Sequence, residues 1–282
     1  MNKILVVGII GQSVFMKCKD FPKNGETIQV ENIYSEVGGK GFNQALTIKN
    51  LGGNVKFVCA LGNDYYGELC LNEMKRLGVT NHSFIKNNQK TAYANILTNC
   101  QGDNQVCVYP GASLEVEDLE NIYTLIDEAE YVLLQLEIPF EVNLAIAKYA
   151  FNNKKHVILN PAPASNIDEI LPFVEIITPN EIEAKMLFDK DYSNKLLNRN
   201  FLSIITRGKN NTLLIKECIK EFKVEPVEPI DTTGAGDVFN GALTYCLSIG
   251  MNIHEAIKFA NEAASITVNY QYVLPGIEAL KN

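Results

Sequence analysis

Two aspartates bracket a run of small residues late in the 282-residue chain: Asp231-Thr232-Thr233-Gly234-Ala235-Gly236-Asp237, followed by Val238, Phe239 and Asn240. Gly234, Ala235 and Gly236 keep bulky side chains off the backbone. Their N–H groups can therefore face an anion beside the helix that the apolar pattern predicts over 235–248. Asp237 stands at the rim of that anion site. A base next to a phosphate cradle is what moving a phosphoryl group onto an alcohol requires. An Asp in a first helical turn also complements the helix dipole with no catalytic duty, so the run alone leaves both readings open.

Four other segments carry polar groups where a ligand could meet them. Val37-Gly38-Gly39-Lys40-Gly41-Phe42-Asn43-Gln44-Ala45 combines close backbone approach with Lys40, Asn43 and Gln44 as polar contacts, or is a tight turn before a helix. Thr178-Pro179-Asn180-Glu181-Ile182-Glu183 runs from a strand end to a helix start. Asn180 there is a good N-cap and Glu183 sits at the capping-box position. Strand C-termini in open α/β sheets are also where ligands bind, and a carboxylate there can hold a hydrated magnesium ion. Thr206-Arg207-Gly208-Lys209 follows a strand and reads as a phosphate-touching loop or an ordinary turn. Glu137, after Gln135 and Leu136, ends another strand; buried, it needs a partner, and a sugar hydroxyl would serve.

These segments need a scaffold that brings strand ends together. Apolar runs at 4–8, 55–61, 131–136, 156–159, 174–178 and 202–206 read as buried strands. Amphipathic stretches at 42–51, 65–77, 114–129, 139–152, 181–188, 235–248 and 253–270 read as helices. That alternation predicts a mostly parallel α/β sheet with helices on both faces. Two segments break it. Residues 27–35 alternate like an exposed strand, and 91–109 resemble a hairpin turning at Gly102-Asp103-Asn104. Together they predict a small antiparallel β lid, about 12–36 and 91–110, inserted into a single domain spanning 1–282. The exposed edges of such a lid seek partners, which points to a homodimer through the lid.

Bulk composition narrows the function. With a net charge of −8, the chain lacks the basic footprint of a nucleic-acid binder. No run of 18 or more apolar residues suggests a membrane span. Met1-Asn2-Lys3 and the apolar run behind it imitate a signal peptide, but the run is short, no A-x-A site follows, and a first buried strand is the better reading. Seven cysteines without paired spacing indicate neither a disulfide framework nor a zinc site, and fit a reducing cytoplasm. The only arginines are Arg76, Arg199 and Arg207, too few to favour a substrate that is already phosphorylated. The G-x-x-x-x-G-K-[ST] and G-x-G-x-x-G phosphate motifs are both absent.

Taken in order, these segments resemble the ribokinase-like (PfkB) carbohydrate kinase family over nearly the whole chain. The resemblance rests on Gly8, Gly25-Glu26-Thr27, the run from Gly38 to Ala45, Gly111-Ala112, Asn160-Pro161-Ala162-Pro163-Ala164, the Asn180-x-x-Glu183 pair and the stretch from Asp231 to Gly241. It implies a three-layer fold and ATP-dependent phosphorylation of a pentose or similar small sugar. Asp237 would be the base, and Gly234, Ala235 and Gly236 the anion hole. Asn180 and Glu183 would position magnesium, largely through water; Thr206 and Gly208 would meet nucleotide phosphates, and Asn261 would line the adenine pocket. Gly38, Gly39, Lys40, Asn43 and Glu137 match sugar-contacting positions, and Asp231 with Thr233 matches part of a potassium site. The chain departs from the pattern at Gly11 and Ser13, where Asn and Asp would bind sugar hydroxyls, and at Tyr272 and Asn211, which replace glycines. A nucleoside acceptor, with a base pocket near Phe15, Tyr93 and Tyr109, is the nearest alternative; a catalytically weak sugar- or nucleotide-binding regulator is another.

Overall fold

The computed structural model describes residues 3–101 and 103–281. Its chain starts with β1 (Ile4–Val7), β2 (Gly11–Lys17), β3 (Asn32–Gly38), α1 (Lys40–Asn50), β4 (Val55–Gly62) and α2 (Tyr65–Leu77). There follow β5 (Asn81–Lys86), β6 (Ala92–Thr98), β7 (Asn104–Tyr109), α3 (Leu119–Asp127), β8 (Tyr131–Gln135), α4 (Phe140–Asn152), β9 (His156–Asn160) and β10 (Ile176–Ile177). The remainder is α5 (Glu181–Phe188), α6 (Tyr192–Lys195), β11 (Leu202–Arg207), β12 (Asn210–Ile215), β13 (Ile219–Phe222), α7 (Ala235–Ser248), α8 (Ile253–Thr267) and α9 (Val273–Glu278).

Among the described residues, nine strands form one sheet in the order β13-β12-β11-β10-β9-β8-β1-β4-β5. All four side chains of β1 are buried because helices cover both faces, which is why its sequence shows no alternation. In this sheet β5, β4, β1, β8, β9, β10 and β11 run parallel; β12 and β13 turn back antiparallel at one edge. One face packs Phe42, Phe57, Phe239 and Ile257 beneath α1, α7 and α8. The other packs Leu5, Ile122, Val132 and Ile146 beneath α3 and α4. Each such fully buried side chain contributes about 1.5–3 kcal/mol.

The second sheet, β3-β2-β6-β7, is the flap foreseen in the sequence. Its outer pairings are antiparallel, whereas β2 and β6 run parallel, because both leave the body in the same direction. β3 lies a few residues later than the alternation suggested: it is held by the ladder with β2, which pairs Gly11 with Gly38 and Lys17 with Asn32. Gly102, expected in the hairpin turn, and Met1 and Asn2 lie outside the described residues. The apolar run at the chain start is a central strand of the large sheet. Between Phe188 and Phe201 the chain has room only for the four-residue α6.

Candidate active site

The glycine run ends one loop and begins one helix. Gly234 has φ 76°, a left-handed conformation that glycine adopts without steric cost, and it caps α7. A Cβ on Gly236 would meet nothing within 4 Å, so the backbone is open there. Among the described residues no acceptor faces the N–H groups of Gly236 and Asp237, as expected at a helix start awaiting an anion.

Asp237, in the first turn of α7, is buried to 6% exposure yet lines a cavity of about 370 Å³ between the body and the lid sheet. Its carboxylate accepts Asn43 Nδ2 at 2.9 Å and Gln44 Nε2 at 3.3 Å. Both donors lie at the start of α1, whose N-cap Gly39 has φ 114°. A network stands behind them. Gln44 Nε2 also donates to Asn160 Oδ1, and Gln135 Nε2 donates to Gln44 Oε1. Asn160 Nδ2 donates to the Thr178 carbonyl, Thr178 Oγ1 to Asn240 Oδ1, and Asn240 Nδ2 to the Gly236 carbonyl. This circuit joins three strand ends to the first turn of α7 and fixes the Asp237 rotamer.

Across the cavity floor, Glu137 accepts the Lys40 backbone N–H at 3.0 Å. Burial pushes its carboxyl up to about 7, against the opposing pull of the Lys40 ammonium. Asp237 raises the Lys40 pKa above its ordinary value. Asn43 Oδ1 has no partner, leaving a buried acceptor at the cavity wall. Gly11, Ser13, Gly38, Gly39 and Thr233 also line the cavity. A side chain at position 11 is excluded by packing, since its Cβ would lie 2.4 Å from the Ala92 carbonyl oxygen.

The other expected residues form a second group along the strand ends. Asn180 caps α5: Glu183 N donates to Asn180 Oδ1 and Asn180 N to Glu183 Oε2, so the capping box is real. Burial raises the Glu183 pKa. Thr206 bridges to Asn180 in parallel register. Gly208 supplies the left-handed residue (φ 58°) of the β11–β12 turn. Asn211, which stands where the family pattern has a glycine, lies in β12 without a left-handed backbone and donates to Glu221. Asn261 accepts from Thr212 Oγ1 at 2.8 Å, and its Nδ2 is buried without a partner. Asp231 accepts N–H groups from Thr233 and Tyr272, at 2.9 and 3.1 Å. Of the residues suggested for a base pocket, Phe15 and Tyr93 line the cavity; Tyr109 is 52% exposed and does not. Glu36, and the links of Asn160 and Asn240 to Thr178, were not foreseen, for Glu36 meets Leu274 across 238 residues and Asn240 meets Thr178 across 62.

The pfkB family carbohydrate kinase profile matches residues 1–279. The ribokinase of Lactococcus lactis subsp. lactis is 36% identical over 281 residues, covering 95% of this chain and 91% of that protein. A crystal structure of ribokinase from Thermotoga maritima superposes with a TM-score of 0.89 at 33% identity, over 99% of each chain. The ribokinase of Arabidopsis thaliana, solved with ribose and ATP, gives a TM-score of 0.85 at 26% identity, over 100% of this chain and 99% of that one.

Proposed function

The chain belongs to the pfkB family of carbohydrate kinases, and on that premise we propose that it transfers the γ-phosphoryl group of ATP to a hydroxymethyl group of a pentose. One observation carries the reading: the buried Asp237 carboxylate faces the cavity beside the open amides of Gly236 and Asp237. The acceptor alcohol lies among Lys40, Asn43, Glu137 and Asp237. Asp237 takes its proton as the bond to phosphorus forms, and the amides at the start of α7 receive the charge of the transferring group. Lys40 adds a positive charge on the same side. The four-stranded sheet serves as the lid of a single domain and excludes water from the reaction.

The nucleotide lies along Thr206, Gly208 and Asn261, whose free Nδ2 supplies a donor. Magnesium fits beside Asn180 and Glu183. Their capping bonds leave Glu183 Oε1 to accept from a hydrated ion, which favours contact through water. The ion supplies charge neutralisation on the phosphates. A potassium ion is proposed beside Asp231 and Thr233; each Asp231 oxygen accepts one N–H and keeps capacity for a cation. All seven cysteines are free, which suits a reducing compartment such as the cytoplasm. Among the described residues no helix is long and apolar enough to cross a membrane.

A nucleoside is the second reading. Phe15 lines both the acceptor cavity and an adjoining cleft of about 530 Å³, space that a base could enter. Coupled ADP release across ribose, other pentoses and nucleosides distinguishes the two. Silence with every acceptor, together with ATP binding, would leave a binding regulator instead. A second copy of the chain is the proposed partner of the lid: β7 is an edge strand of that sheet, with one side unpaired among the described residues. A monomeric mass in solution would refute that dimer.

A further inference from the structure

Glu36 sits in β3 of the lid sheet, yet its side chain is spent on the far end of the chain. It is 6% exposed. Its Oε1 accepts the N–H of Val273 at 3.1 Å, and its Oε2 accepts that of Leu274 at 3.0 Å. These are the first two residues of α9, whose own N-cap, Tyr272, makes no side-chain cap bond. The lid thus supplies the cap that the local sequence lacks.

The contact leads on to the anion loop. A Cβ on Gly234 would lie 2.6 Å from Val273 Cγ1, so the Val273 side chain is seated directly against the residue that starts α7. Tyr272 N–H is held by Asp231, on the other side of the same loop. The Tyr34 ring, also in β3, stacks on Tyr272 with centroids 3.7 Å apart and planes 13° from parallel. Phe15 of β2 lies 5.3 Å from Tyr272. The lid, the start of α9 and the loop at 231–234 are therefore one packed unit.

We propose that Glu36 is a positioning residue for phosphoryl transfer: it clamps the lid to the start of α9 and, through Val273, holds Gly234 and the amides that follow it in place. A glutamate suits the task because each of its two oxygens accepts one N–H, whereas Gln has one acceptor oxygen and would turn an NH2 donor toward the other amide. The inference rests on the reading of residues 234–236 as the anion site. It adds that this site is assembled correctly only when the lid is latched.

The test compares Glu36→Ala, Glu36→Gln and Val273→Ala with the unaltered enzyme, using ribose (or whichever acceptor the panel identifies) and ATP. Glu36→Ala is expected to lower kcat about 10–100-fold while the KM for ATP moves less than about 3-fold, since the nucleotide groove lies elsewhere. Glu36→Gln keeps one acceptor and should recover part of the lost rate. Val273→Ala leaves the carboxylate in place but empties the seat on Gly234, and should lower kcat in the same direction. Amide exchange at Val273 and Leu274 should quicken in the Glu36 variants. A folded Glu36→Ala enzyme with kcat within about 2-fold of normal would overturn the proposal. So would a loss that merely follows the folded fraction, with Gln no better than Ala. Should Glu36→Ala fail to fold, the Gln and Val273 variants decide. If Asp237→Asn is inactive while Glu36→Ala is fully active, the latch is wrong and the active-site reading survives; if Asp237→Asn is also active, the site reading itself has failed.

Discussion

The two walls of the cavity beside Asp237 are built on different plans. The body wall presents Lys40, Asn43, Glu137 and Asp237, each braced by a helix start or a strand end. The lid wall presents Gly11, Ser13, Phe15, Ala94, Ile96, Val106 and Val108. Register explains the latter: Ser13 stands level with Glu36 and Ala94, and Phe15 with Tyr34 and Ile96, so alternate residues of β2 and β6 all face inward. Glu36 is the one carboxylate of that inner face among the cavity's lining residues, and its oxygens are committed to α9. On the proposed reading the body wall carries the transfer chemistry, while the lid wall offers the acceptor mostly small and apolar side chains.

The largest effect should come from the body wall. Asp237→Asn keeps the shape and the bonds to Asn43 or Gln44 in part, but removes the proton acceptor. Its kcat should fall by roughly 100-fold or more, about 2.7 kcal/mol of barrier, with circular dichroism unchanged. Near-normal turnover would break the contrast between the walls at its root. On the lid wall, Ser13→Ala removes the hydroxyl that lies against Gly38. The KM for the acceptor should rise only about 2–5-fold, on the order of 1 kcal/mol or less, with the KM for ATP unmoved. A loss as large as that of Asp237→Asn would show that the lid recognises the acceptor as strongly as the body does.

The smallest effect concerns stability against pH. Burial raises Glu137 to about 7 from an ordinary 4.5, and burial raises Glu36 to about 7 as well. Between those values the unfolded chain has released the proton and the folded chain still holds it. Stability from each group is therefore fully present below about pH 4.5 and is lost as pH rises through about 7. Glu137→Gln removes one share of that loss. Urea midpoints at constant ionic strength should show the unaltered protein weakening relative to the variant from pH 5 to pH 8, by on the order of 1 kcal/mol. A difference that stays constant with pH would mean that Glu137 is charged throughout, and that the body wall is wetter than its burial implies.

Much of the scaffold was legible. The apolar periodicity gave α2, α5 and α7 their observed bounds, because amphipathic helices with N-caps such as Asp64 and Asn180 declare both their face and their start. Less visible were β2, β5, β12 and β13. β5 lies at an edge of the large sheet with mixed burial, and β12 and β13 form its other, antiparallel edge, so neither carries the continuous apolar run of a central strand. The short α9 was hidden too, since its cap comes from another element. In the site, Asp237 and the glycine run were readable because left-handed backbone and a helix start are local matters. The hydrogen bonds of Gln44, Asn160 and Asn240 around that aspartate and its helix arise only once the chain is packed, and no spacing announces them.

The sequence by itself determined which short segments have backbone open to a ligand and which side chains stand beside them. Glycine conformation, N-capping and apolar period depend on a few neighbouring residues, and those are written in order along the chain. Only the tertiary structure decided which segments meet. Asn43 reaches Asp237 across 194 residues, and Glu36 reaches Leu274 across 238. Those approaches follow from how the parallel sheet orders its strands and how the lid folds back over their ends, and so depend on the packing of the whole chain at once.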